Sequence, residues 1–239
     1  MLIISNIISA LDALSHFFGL GLCHQLPERS FEFGGVLWPV CARCIGIYLG
    51  ILCVLAALFL VYRGRQRSGG LPWPYWLALA LALALMAYDG LSSYLYFRET
   101  TNALRLISGI AVGGMVAPLM YTLLVGTLAR SSVDDRIFGD DGEEGGARPV
   151  LYLLGGMLSA AAFVYLLSPL LGPFSALVAD LSIWATFALL ILMLVGLARP
   201  FEGSVSTWRD LTLPLALSAV ISLILIMALA ILKILIIGG

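Results

Sequence analysis

Apolar and polar positions alternate in blocks along this chain rather than residue by residue. Apolar windows run at 40–62, 75–97, 103–128, 149–171, 174–198 and 212–236. Each has the length, about 20 mostly apolar residues, that an α-helix needs to cross a bilayer. Breakers separate the windows: RGRQRSGGLPWP after the first, RETTN after the second, an acidic Gly-rich stretch after the third, LGP after the fourth and RPFEGSVSTWRD after the fifth. The stretch 134–146, DDRIFGDDGEEGG, reads as a solvated loop. The pattern predicts an all-α, polytopic transmembrane bundle occupying residues 1–239 as a single integral membrane domain. Its polar chemistry lies in the half 1–128, and 149–236 is helical scaffold.

Residues 2–20 leave the number of spans at six or seven. Ile4, Ile7, Ile8, Leu11, Leu14 and Phe18 follow helical spacing, and Ser5, Ser9, Asp12 and His16 follow it on another face. A spanning helix with its polar stripe turned into the bundle fits this pattern and would be the seventh span; this is the favoured reading. An amphipathic helix lying at the interface fits as well. The segment lacks the basic start and small-residue cleavage site of a secretory signal peptide.

Composition agrees with a bilayer environment. Hydrophobic residues make up 61% of the chain and charged residues 11%, with a mean hydropathy of +1.04. Soluble domains carry about a quarter charged residues. The net charge of −1 gives no basis for binding nucleic acid. Membrane lipids are the expected surroundings.

The placement of arginines predicts orientation. Arg63, Arg65 and Arg67 follow the first window, Arg130, Arg136 and Arg148 the third, and Arg199 and Arg209 the fifth. The alternate connections hold only Arg98, with Arg105 just inside the next helix. Cytoplasmic loops carry the Lys/Arg excess, so the start of the 40–62 helix is expected to face outward from the cell membrane. Asp89, Arg105 and Asp180 then fall on that same outer side. Ionisable side chains inside a membrane are costly and mark functional or packed polar sites. An ion pair of Arg105 with Asp89 or Asp180 is the expected structural arrangement.

The candidate chemistry sits where the chain first enters the bilayer. Cys23, His24, Cys41 and Cys44 are the side-chain types of a Cys3His metal site. Cys41-Ala-Arg-Cys44 follows Pro39 at the start of a helix, where the helix dipole and Arg43 favour thiolates. Thiolates bind metal and also attack disulfides, so the CxxC by itself leaves both chemistries open. Zinc suits the four ligands, and copper or iron share them. Arg29 is a candidate anchor for an anionic or lipid phosphate group. Asp89 is a candidate base and Arg105 a second anion anchor. Asp12 and His16, four apart on a helix, form a local pair. Cys53 reads as a packing residue. Gly46/Gly50 and Gly109/Gly113 have the spacing of close helix contacts.

The run CHQLPERSF…PVCARCIGIYLG resembles domain-of-unknown-function family 2085, polytopic membrane proteins of bacteria and archaea. Asp89-Gly90, Asn102 and Arg105-Leu-Ile-Ser-Gly109 match a second part of that pattern. The similarity spans about residues 20–118 and includes Cys23, His24, Arg29, Ser30, Cys41, Arg43, Cys44, Gly46, Tyr48 and Gly50. It implies grouping the two polar clusters and implies no reaction. Three functional readings follow from the residues. The first is a membrane metalloprotein, structural if the site is closed, or an enzyme acting on a lipid-linked or anionic substrate. The second is a thiol–disulfide oxidoreductase built on the CxxC. The third is a transporter, which the lack of polar residues in the inner half disfavours.

Overall fold

A computed structural model describes residues 2–62, 71–95, 97, 99–128, 148–197 and 210–237. Arg63, Arg65, Arg67, Arg98, Arg130, Arg136, Arg199 and Arg209, which suggested the orientation, lie outside these residues, as does the acidic stretch 134–146. Each apolar window forms a helix. After α1 (Leu2–Leu20) come α2 (Ala42–Tyr62), α3 (Trp73–Tyr94), α4 (Asn102–Leu128), α5 (Arg148–Ala162), α6 (Ser168–Leu171), α7 (Ser175–Gly196) and α8 (Thr212–Ile237).

Among the described residues, five stretches are long and apolar enough to cross a membrane: Ala42–Tyr62, Trp73–Tyr94, Asn102–Thr127, Val150–Gly196 and Thr212–Ile236. The fourth runs 47 residues, which would be about 70 Å as a straight helix, twice the hydrocarbon core. It is a hairpin. Gly172, at φ 56, stops α6 in a conformation that only glycine adopts readily, and Pro173 follows it. Near this turn Ala160 and Val164 pack in one cluster with Ala176, Ala179 and Ile183. Farther away, Leu153 and Leu189 both pack into another cluster, built mainly on α2 and α4. The two arms are therefore antiparallel, and the five stretches supply six crossing segments.

Between α5 and α6, Phe163–Leu167 forms a π-helical turn. Pro169 lacks the N–H and crowds the carbonyl four residues back, which explains the widened turn. Phe163, at the start of this turn, stacks on Trp38 with ring centroids 6.5 Å apart.

The α2–α4 pair forms the centre. A Cβ at Gly109 would overlap the Arg43 carbonyl, and one at Gly113 the Ile47 carbonyl. From the other side, a Cβ at Gly46 would come within 2.6 Å of the Leu106 carbonyl oxygen. Only glycine permits this backbone-to-backbone approach. On α3 the buried side chains Tyr75, Ala82 and Asp89 are seven residues apart and share one face, with Ser92 beside them. The Tyr75 hydroxyl donates to the Met115 carbonyl of α4. The opposite face of α3 exposes Leu77, Leu81, Leu85, Tyr88 and Leu91, the surface that lipid tails would cover.

The 21 residues between α1 and α2 fold into the bundle. Glu32–Phe33 and Val36–Leu37 form a two-stranded hairpin, β1 and β2. Its turn residues Gly34 and Gly35 have φ of 62 and 80, as a two-residue primed turn requires. The hairpin was not foreseen, although Gly-Gly between short apolar runs is its usual signal. Gly34 abuts Pro173 at the α6–α7 turn. Val36, Trp38 and Val40 are buried, and the Trp38 indole N–H donates to Ser175 Oγ at 3.0 Å.

α1 docks on this segment and on the last two helices. Ile8 lies beside Gly35, the Leu37 N–H donates to Asp12 Oδ1 at 3.1 Å, and Gly19 abuts Pro39. Ser15 Oγ donates to Asp180 of α7, and Gly21 abuts Leu229 and Ala230 of α8.

Candidate metal centre and the arginine cluster beside it

Cys41 caps α2: its carbonyl accepts the first helical bond, from the Ile45 N–H at 3.0 Å. Its own N–H points away from the helix and donates to Cys23 Sγ at 3.4 Å. One turn on, Cys44 places its sulfur 3.5 Å from that of Cys41. The three sulfurs of Cys23, Cys41 and Cys44 lie within 4.8 Å of one another. Three thiolates at 2.3 Å from a tetrahedral zinc are spaced about 3.8 Å apart, so the set matches a zinc-sized ion. Cys23 is tied in by its backbone: its N–H donates to the Gly19 carbonyl, and its own carbonyl accepts from Lys233 Nζ of α8 at 2.9 Å. Hydrogen bonds from the Cys41 and Cys44 thiols hold Cys23 far below the usual thiol range, against the opposing effect of burial. Cys41 is pushed up, chiefly by serving Cys23 as donor. Three clustered sulfurs make a soft donor set.

His24, the fourth expected ligand, is exposed and stands outside this group. Consecutive residues of an extended chain project to opposite sides, so turning Cys23 inward turns His24 outward. Gln25 then reverses the chain at φ 53 and is pinned by its side chain to the carbonyls of His16 (2.7 Å) and Pro39 (2.8 Å).

Arg43, between the two α2 cysteines, reaches α3 and forms an ion pair with Asp89. Its backbone carbonyl rests on Gly109 and its guanidinium lies beside Gly90. This replaces the expected pairing of Arg105 with Asp89 or Asp180. Sequence placed these residues at one depth, but not which face of each helix they occupy. Arg105 is buried and meets only neutral partners among the described residues: Asn102 Oδ1 at 2.9 Å, with Ser93 and Thr100 hydroxyls at 3.5 Å. Asn102 also donates to the Ser30 carbonyl at 3.3 Å, bringing the Pro27–Arg29 turn against the start of α4. Arg29 and Arg43 both lie within electrostatic reach of Arg105, as do Asp89 and Cys41. The thiols and the guanidiniums are thus one neighbourhood.

The remaining candidates separate. Asp180 is buried at the same end but bonds Ser15 Oγ of α1 at 2.8 Å, with its other oxygen unpartnered among the described residues. Asp12 bonds the β2 backbone rather than His16. Cys53 packs within the apolar cluster.

Residues 23–119 match the family model described as predicted membrane protein (DUF2085). An uncharacterized protein of Methanothermobacter thermautotrophicus is 37% identical over 106 residues, 43% of this chain and 86% of its own length. The chain belongs to this family. An uncharacterized protein of Methanocaldococcus jannaschii is 38% identical over 107 residues, again 43% of this chain and 66% of that protein. No solved structure matches. The DUF2085 region contains the three cysteines, Arg29, Arg43, Asp89 and Arg105. Lys233, which holds the Cys23 carbonyl from α8, and Asp180 of α7 lie beyond it. Sequence reasoning missed Lys233 as a contact of the cysteine loop; a lone lysine in an otherwise apolar helix was the available signal.

Proposed function

We propose that this protein is a membrane metalloprotein in which Cys23, Cys41 and Cys44 bind one metal ion, zinc in the first instance, with copper or iron as chemically related occupants. The observation that carries this reading is the meeting of three sulfurs from two chain segments within 4.8 Å. The fourth position falls to His24, by rotation of its exposed side chain, or to water. A bound zinc with an open position supplies Lewis acidity at neutral pH. The chain's own contribution is an adjoining set of charged groups. Arg29 and Arg105 hold an anionic or lipid-linked substrate, Arg43 orients Asp89, and Asp89 is the group positioned to accept a proton. The cysteine end lies opposite the α2–α3 connection, whose arginines favour the cytoplasm. We therefore place the metal site at the extracytoplasmic face of the cell membrane.

A thiol–disulfide reading is favoured by one observation, the 3.5 Å approach of the free Cys41 and Cys44 sulfurs with Cys23 beside them. Metal analysis of purified full-length protein, paired with mass spectrometry after alkylation, separates the two. The metal reading expects about one zinc per chain, lost in Cys41→Ala/Cys44→Ala. A zinc-free protein with a stable Cys41–Cys44 disulfide overturns it.

A further inference from the structure

Arg29, Arg43 and Arg105 come from three separate segments: the turn before β1, the start of α2 and the start of α4. Asp89 is the one carboxylate with which any of them forms an ion pair among the described residues. Three guanidiniums therefore share a single ion-paired carboxylate. Arg105 is 8% exposed and is held by neutral groups alone. Arg43 keeps its Nε buried without a hydrogen-bond partner, even as its Nη2 engages Asp89. A buried, uncompensated charge is costly, and an unmade buried hydrogen bond adds to that cost. Asn102 orients Arg105 without neutralising it. Each feature is relieved by an anion that several guanidiniums share.

We propose that Arg29, Arg43 and Arg105 form a binding site for a phosphate group. This rests on the reading above that the charged neighbourhood receives an anionic substrate, and it names the ligand class and adds Arg43. Phosphate fits the arrangement better than carboxylate does. It carries up to two negative charges and three or more acceptor oxygens, so one group meets more than one planar guanidinium fork. A carboxylate offers one charge, and Asp89 already supplies one. Asp89 holds Arg43 in place while the site waits, and a phosphate oxygen takes the remaining donors. The group belongs either to a lipid headgroup or to a free phosphate compound.

The test uses the purified full-length protein in phosphatidylcholine nanodiscs. One arm titrates inorganic phosphate by calorimetry. The other measures recruitment of phosphatidic acid into the nanodisc-bound lipid by native mass spectrometry. Binding in the first arm alone assigns a free phosphate compound, and binding in the second assigns a headgroup; each supports the proposal. Arg105→Gln and Arg29→Gln should each weaken whichever binding is seen by at least tenfold. Arg29 is half-buried and in no described ion pair, so Arg29→Gln keeps the test decisive if Arg105→Gln fails to fold. Absence of binding in both arms, or unchanged binding by Arg29→Gln, overturns the proposal. Zinc content of the same preparations is read in parallel. Lost phosphate binding with full zinc leaves the metal reading standing, and lost zinc with intact phosphate binding removes the metal reading alone.

Discussion

In α2 and α4, glycines at 46, 109 and 113 bring one backbone against another. In α7 and α8 the buried Ser182, Thr186, Ser218 and Ser222 turn their hydroxyls onto carbonyls of their own helices, at 2.7–2.9 Å. The first pair fixes relative position through contacts that no side chain can relax. The second satisfies its polar groups internally and meets its neighbour through side chains, as where the Trp184 indole N–H donates to the Ala219 carbonyl at 3.0 Å. The charged groups and two of the three clustered thiols ride on the rigid pair and on what docks to it. Arg43 shows the link directly: its carbonyl touches Gly109 while its guanidinium holds Asp89. Preorganisation of this kind places a binding constellation more reliably than loops do.

Substitutions that widen the α2–α4 contact should have the largest effect. Gly109→Leu and Gly113→Leu force a side chain into a backbone carbonyl and are expected to cost more than about 3 kcal/mol, with loss of folded protein in size-exclusion assays. Gly155→Ala in α5 meets nothing within 4 Å and should be neutral or stabilising by up to about 1 kcal/mol. Equal sensitivity at both places would remove the distinction. Next comes Asp89→Asn, which strands Arg43 and should destabilise by about 3 kcal/mol in thermal unfolding. Ser15→Ala removes the hydrogen bond that joins α1 to Asp180 and should cost about 1–2 kcal/mol. Ser222→Ala, which breaks only a bond within α8, should cost less than about 1 kcal/mol. A reversed order of these last two would mean that α1 is not docked through Asp180.

Much of this was legible in the chain. Blocks of apolar residues gave the crossing helices because span length is set by the bilayer rather than by tertiary contacts. The glycine spacings pointed to the α2–α4 contact, and the cysteine spacing to the meeting of three sulfurs. Depth was legible too: Asp89, Arg105 and Asp180 do lie at the cysteine end. Azimuth was not. Arg105 was matched with a carboxylate on the rule that buried charges pair, yet Arg43 reaches Asp89 first because Gly109 seats its backbone against α4. Adjacency to Cys23 leaves the His24 side chain exposed, an orientation that residue type alone does not encode. The placement of α1 depended on where Asp12 finds a donor, the Leu37 N–H of β2, which no periodicity encodes.

The proposed metal centre is tested most directly by X-ray absorption at the zinc edge on the purified full-length protein. Three sulfur scatterers at about 2.3 Å with one nitrogen or oxygen are expected, falling to at most one sulfur, or to no bound zinc, in Cys41→Ala/Cys44→Ala. A wild-type spectrum with no sulfur neighbours, or a protein that carries no metal, would contradict it.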